Sequence, residues 1–213
     1  RPPLGHHGLP EEIACLPCVL EAGFPEGTYR AFPACKIPGG LYPVVDSAAW
    51  VERLTAAGVR LIQLRIKDRA PDDAALRAEA LKAAACCRRL GAQLYIDDYW
   101  QLAAQVGAYG VHLGMEDLCR VDPEAILKTG LRLGVSTHGP YELCKALQLR
   151  PSYIALGHVF PTGSKVMPSK PQGLLHLAQQ ARLLRRAGIP AVAIGGIKAG
   201  RLSDVLDCGV DGV

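Results

Sequence analysis

The residues best equipped for chemistry stand at the ends of short apolar runs. "QLRIK" carries Gln63, Arg65 and Lys67, "LYIDDY" carries Asp97 and Asp98, and "HLGMED" ends on Glu116 and Asp117. "GVSTH" brings Ser136, Thr137 and His138, "GHVFPTGSK" brings Thr162, Gly163, Ser164 and Lys165, and "AIGGI" brings Gly195 and Gly196. Asp98 and Asp117 offer hard carboxylate oxygens, which suit Mg2+, an ion that takes one or two carboxylates and completes its shell with water and phosphate oxygens. Arg65, Lys67 and Lys165 would close a cationic cage around a polyanion. A diphosphate bridged by Mg2+ fits this set better than a monophosphate does. The two glycines and the Thr162-Gly163-Ser164 turn supply backbone N–H groups and hydroxyls for a second phosphate.

Each member has a plainer reading. An Asp pair after a strand commonly caps a helix, and Gly-Gly after a strand is commonly a turn. His112 reads as a hydrogen-bonded core histidine rather than a base, His138 sits in a loop and fits either role, and "RLLRR" at 182–186 reads as a solvated helix face. The functional reading rests on convergence, not on any one residue.

What must position these groups is a repeated strand and helix. From Leu41 onward, apolar runs recur at 41–45, 59–66, 92–97, 109–113, 131–135, 152–156 and 190–195 and in the terminal "GVDGV". Between them lie stretches such as Asp72 to Leu90, where Leu76, Ala80, Ala83, Cys87 and Leu90 recur at helical spacing. Strand and helix in alternation imply a parallel sheet with right-handed crossovers, and eight such units close into an α/β (β/α)8 TIM barrel. A doubly wound sheet would favour GxGxxG after its first strand. "DSAAW" stands there instead, a helix start with Asp46 or Ser47 as N-cap. Barrel sites sit at the C-terminal ends of the strands, which explains why a buried strand such as 59–66 ends in charge. Alternation puts Gln63, Arg65 and Lys67 on one face, pointing inward.

Composition narrows the partners. The 213 residues are 49% hydrophobic and 21% charged, with a net charge of +4 that is scattered rather than clustered. That balance points to a globular protein, does not point to nucleic acid or an anionic membrane as partner, and leaves an anionic small-molecule substrate open; a homo-oligomer is left open too. There is no apolar run of membrane length and no signal-peptide layout, so the expected location is cytoplasmic. Residues 1–40 interleave Pro and Gly densely and read as a leader or linker, with 41–213 as the barrel. The chain begins with Arg rather than Met, which suggests trimming, processing or a fragment. Eight cysteines show no disulfide framework. A zinc set of Cys15, Cys18, Cys35 and His6 or His7 can be drawn, but without finger-like pairing reduced thiols are the simpler reading.

In "GLYPVVDS", "QLRIKD", "YGVHLG" with "EDL", "LRLGVSTH", "YIALGHVFPTGSK", "PQGL" and "AIGGI", the chain resembles the thiamine phosphate synthase family over nearly all of 41–213. The resemblance implies transfer of the hydroxymethylpyrimidine unit from its diphosphate to the nitrogen of thiazole phosphate. It implies that Gln63, Arg65, Lys67, Asp97, Ser136 and Lys165 meet the pyrimidine diphosphate. Thr162, Ser164 and Gly196 would hold the thiazole phosphate, Asp98 and Asp117 the Mg2+, and no residue would be a nucleophile.

The chain also departs from the family pattern. "IDDYW" puts Asp97 where the family has Asn, "HLGMED" puts Met115 where it has Gln, and Ser164 stands for the second Thr of TxT. The sequence stops at Val213, inside the expected eighth strand, so the barrel is expected to be truncated and unclosed, with apolar edges and the flanks of the first and seventh helices exposed. Weak or no synthase activity is the corresponding expectation. Two alternatives follow: a thiazole tautomerase-like barrel, which would not need "QLRIK" with both aspartates, and a catalytically silent ligand-binding barrel.

Overall fold

The computed structural model describes residues 29–67, 69–163 and 169–213. Seven parallel strands pair strictly in sequence order: β1 (Val44–Val45), β2 (Leu61–Leu64), β3 (Gln93–Asp97), β4 (Gly110–Leu113), β5 (Arg132–Thr137), β6 (Tyr153–Leu156) and β7 (Ala191–Ala193). The helices are α1 (Ala48–Ala56), α2 (Ala74–Leu90), α3 (Trp100–Val106), α4 (Met115–Leu118), α5 (Pro123–Lys128), α6 (Pro140–Gln148), α7 (Gly173–Ala187) and α8 (Leu202–Asp207). Sequential parallel order with helical crossovers is the α/β arrangement of TIM-like folds.

Local chemistry sets the elements. Asp73 caps α2 by accepting from the Leu76 N–H at 2.9 Å. Leu76, Ala80, Ala83 and Cys87 turn inward at helical spacing, while Leu90 is only half-buried. The start of α1 differs from expectation. Ser47 occupies the N-cap but its side chain makes no cap; the Ala48 N–H instead donates 2.7 Å to Glu79 Oε2 on α2.

Alternation along the strands creates two cores. Ile62, Leu64, Leu94 and Ile96 face the helices, whereas Leu61, Tyr95, Tyr153, Ala155 and Val192 fill the inside of the curled sheet with Tyr42 and Cys35. Gln63 and Asp97 lie on the inward parity, two residues above Leu61 and Tyr95.

Two terminal segments complete this interior. Part of the stretch read as a leader packs on the curled sheet: Phe32 and Cys35 are buried, and Ser152 Oγ donates to Pro33 O at 2.7 Å. Cys35 donates to Ser152 O at 3.1 Å and is spent in the core; Cys15, Cys18, His6 and His7 lie outside the described residues. At the other end, Asp211 N donates to Ala191 O and Ala193 N to Gly212 O, while Tyr42 N donates to Val213 O and Val213 N to Gly40 O. The seam expected to be open is therefore bridged by backbone on both sides, because three extended residues suffice to reach from β7 to the segment before β1. Leu41, Val44 and Trp50 remain exposed beside it.

Candidate active site

Charge concentrates where β2 and β3 end. Arg65 N donates to Val45 O at 2.7 Å, extending the β1–β2 ladder one residue beyond β2 and keeping the Arg65 side chain on the Gln63 side. Arg65 Nε lies 3.1 Å and Lys67 Nζ 2.9 Å from Asp97 Oδ2, and Lys67 also pairs with Asp98. Both cations therefore converge on a single carboxylate oxygen, Asp97 Oδ2.

Burial decides how each partner responds. The Asp97 side chain is 8% exposed and that of Lys67 39%. Burial, then the charge of Asp98, raises the Asp97 carboxyl, and Lys67 and Arg65 offset this only in part. For Lys67, burial lowers the ammonium, but the hydrogen bond to Asp98 and the charge of Asp97 outweigh it and the net shift is upward. The half-wet ammonium loses less hydration than the buried carboxylate, so pairing wins for one and desolvation for the other.

Asp98 sits at φ 66°, a left-handed conformation that Asp tolerates better than most residues. Its N–H donates to His112 O at 2.9 Å, and its carboxyl, paired with Lys67, stands near enough to Asp117 to act on it. Asp117, the third residue of α4, accepts from Gly114 N at 3.3 Å. Burial, then the adjacent Asp98 charge, raises the Asp117 carboxyl. Two neighbouring hard carboxylates, one of them raised by the other's charge, would suit a divalent cation that shares its shell with a phosphate. No cluster of three or more metal-ligating side chains forms among the described residues.

Below the charges lies a layer of buried polar groups. Gln63 Nε2 donates to Tyr42 Oη at 3.2 Å, the Tyr42 and Tyr153 hydroxyls are 2.6 Å apart, Tyr153 Oη lies 2.6 Å from His112 Nδ1, and His112 Nε2 lies 2.7 Å from Ser136 Oγ. His112 thus packs as the sequence implied, and burial pulls its imidazole down to about 4, so it is neutral.

On the far side, Val159 N donates to Ile194 O and Phe160 N to Gly195 O, zipping the loop after β6 onto the end of β7. This brings Thr162 and Gly196 to one rim. Gly196 has φ 67°, and a Cβ there would lie 2.4 Å from Pro161 O, so only glycine fits. Ser164 and Lys165 lie outside the described residues.

This geometry frames the comparisons. A family model for thiamine monophosphate synthase matches residues 41–213. The chain belongs to that family. A thiamine-phosphate synthase of Salmonella dublin is 56% identical over 182 residues, covering 85% of this chain and 84% of the relative. One from Yersinia pestis is 54% identical over 182 residues, covering 85% and 83%. The solved thiamine phosphate pyrophosphorylase of Pyrococcus furiosus superposes with a TM-score of 0.70 at 29% identity, covering 81% of this chain and 82% of that one.

Within this member of the thiamine monophosphate synthase family, sequence reading missed the supports. Tyr42 and Tyr153 read only as strand residues, although their parity with Gln63 marks the same face. Gln172, quoted only within "PQGL", donates to Gly157 O and accepts from Gln180, bracing the loop after β6. Glu142 accepts from both N and Nδ1 of His138, at 2.7 and 3.1 Å; the four-residue spacing was the available signal.

Proposed function

We propose that the chain is a thiamine phosphate synthase that transfers the hydroxymethylpyrimidine group from its diphosphate to thiazole phosphate and releases diphosphate. The observation that carries the reading is the juxtaposition of Arg65 and Lys67 with Asp97, Asp98 and Asp117 above a polar barrel interior. It occurs in a chain 56% identical to a thiamine-phosphate synthase.

In this reading Gln63 and Ser136 receive the pyrimidine end, and Arg65, Lys67 and Lys165 face the diphosphate beside Asp97. Asp98 and Asp117 would hold Mg2+, which supplies positive charge to the departing diphosphate. Thr162, Ser164 and Gly196 receive the thiazole phosphate. The methylene C–O bond breaks with its electron pair leaving on the diphosphate; the resulting cation is delocalised by the aminopyrimidine ring. The thiazole nitrogen lone pair then forms the C–N bond, so no protein nucleophile takes part. The cationic side chains stabilise charge that develops only as the bond breaks. The fold in this reading is a (β/α)8 barrel with 211–213 in the eighth strand position, and the compartment is the cytoplasm.

Asp97 favours a second reading. By pairing with Arg65 and Lys67 it occupies the cations a diphosphate needs, which would leave a barrel that binds ligand without turning it over. Diphosphate release from hydroxymethylpyrimidine diphosphate plus thiazole phosphate, with and without Mg2+, separates the two. Release that needs Mg2+ and disappears in Asp98→Ala supports the synthase; saturable binding of the diphosphate without release supports the silent barrel.

A further inference from the structure

The buried polar layer links two proposed substrate contacts, Gln63 on β2 and Ser136 on β5, through three residues that have no assigned role. Its members come from four strands and the segment before β1, and Gln63, His112, Tyr42 and Tyr153 are all at most 5% exposed. No bulk water is available to exchange partners, so the protons must be shared out within the chain of contacts.

Proton counting gives the chain a direction. An amide nitrogen can only donate, so Gln63 Nε2 donates to Tyr42 Oη. The Tyr42 hydrogen is then free for Tyr153 Oη, 2.6 Å away, and the Tyr153 hydrogen for His112 Nδ1, also at 2.6 Å. A neutral ring that accepts at Nδ1 carries its hydrogen on Nε2 and donates it to Ser136 Oγ at 2.7 Å. Ser136 accepts that bond, and its own hydrogen points away from the relay.

We infer that Tyr42, Tyr153 and His112 are positioning residues forming a one-way hydrogen-bond relay, set by the Gln63 amide, that presents the Ser136 hydroxyl to substrate as a donor. The group it meets is an acceptor: a ring nitrogen or a diphosphate oxygen. This last part rests on the synthase reading, whereas the direction of the relay does not. Gly134 makes the relay buildable, because any side chain there would occupy the place of the Tyr153 ring.

The test reads the His112 tautomer directly, from long-range proton–nitrogen correlations of the full chain labelled at histidine nitrogen, near neutral pH without ligand. The expected form carries hydrogen on Nε2; hydrogen on Nδ1 overturns the relay. Gln63→Glu replaces the donor by an acceptor, and the expected result is reversal to the Nδ1–H form. Unchanged Nε2–H in the folded variant overturns control by Gln63. If that variant does not fold, Gln63→Met removes the donor that sets the direction, and an Nδ1–H signal is expected to appear; a pure Nε2–H ring in Gln63→Met overturns control by Gln63 equally. Tyr153→Phe should raise KM for the pyrimidine diphosphate about tenfold, the size of one lost hydrogen bond, and leave KM for thiazole phosphate unchanged. An equal rise in both removes the positioning role. An Nε2–H ring in a protein that releases no diphosphate upholds the relay and removes the synthase reading.

Discussion

Gly134 on β5 lies so close to Tyr153 on β6 that a Cβ added to it would stand 2.2 Å from ring carbon Cζ. The glycine is a socket for the ring, and the Tyr153 hydroxyl reaches His112 because the ring can lie flat against bare backbone. Gly134→Ala should therefore destabilise the fold by roughly 1–3 kcal/mol, the cost of overpacking a filled core. Urea denaturation measures it, and a change below about 0.5 kcal/mol would mean that the interior yields where we take it to be rigid.

Asp97 neutralises the two cations nearest the proposed diphosphate, and its own carboxyl is raised by burial. Asp97→Asn keeps the shape and removes the competing charge. Its expected effect is a gain in affinity for inorganic diphosphate of about tenfold, or about 1.4 kcal/mol, measured by calorimetry with Mg2+ held constant. Unchanged or weaker binding would show that Asp97 organises Arg65 and Lys67 more than it occupies them.

These two residues also mark what a sequence can reveal. Gln63, Arg65 and Lys67 were legible because period-two alternation assigns a face, and Asp97 because barrel logic assigns a strand end. The Gly134 socket was not, since it depends on the register that sets Gly134 beside Tyr153, and register across parallel strands is fixed by packing. The cap of α1 was missed for the same reason. Local rules nominate Ser47, while the acceptor for the Ala48 N–H comes from Glu79, 31 residues beyond Ala48. Short-range chemistry reads well from sequence; contacts between elements do not.

The pH dependence of stability should carry two opposed signs. His112 is held neutral, down to about 4 from an ordinary 6.5, so between these values the unfolded chain binds the extra proton and stability falls as pH falls. Asp97 and Asp117 are raised above the ordinary carboxylate value of 3.8, so the folded chain holds their protons longer, and stability falls as pH rises through their folded values. The His112 contribution runs from about 6.5 down to about 4, at on the order of 1.4 kcal/mol per pH unit at most. Following the His112 ring proton resonance checks the cause: it should not titrate above about pH 5. A midpoint near the ordinary value would show that the ring is wet.

Asp98 combines a charge the proposed site uses with a backbone conformation that only glycine adopts without cost, φ 66°. Two substitutions separate these contributions. Asp98→Ala and Asp98→Gly both remove the carboxylate and its pair with Lys67, so both should lose Mg2+-dependent diphosphate release. They differ in strain: alanine retains a Cβ that disfavours the left-handed region by roughly 1–2 kcal/mol, and glycine does not. Glycine gives part of this back through a more flexible unfolded chain. Asp98→Gly should therefore be the more stable of the two by about 1 kcal/mol, read as a higher Tm at equal inactivity. If alanine were the more stable, the turn between β3 and α3 would have relaxed to negative φ. The hydrogen bond from Asp98 N to His112 O, which ties the acidic mouth to the polar layer beneath it, would then not be what holds that turn in place.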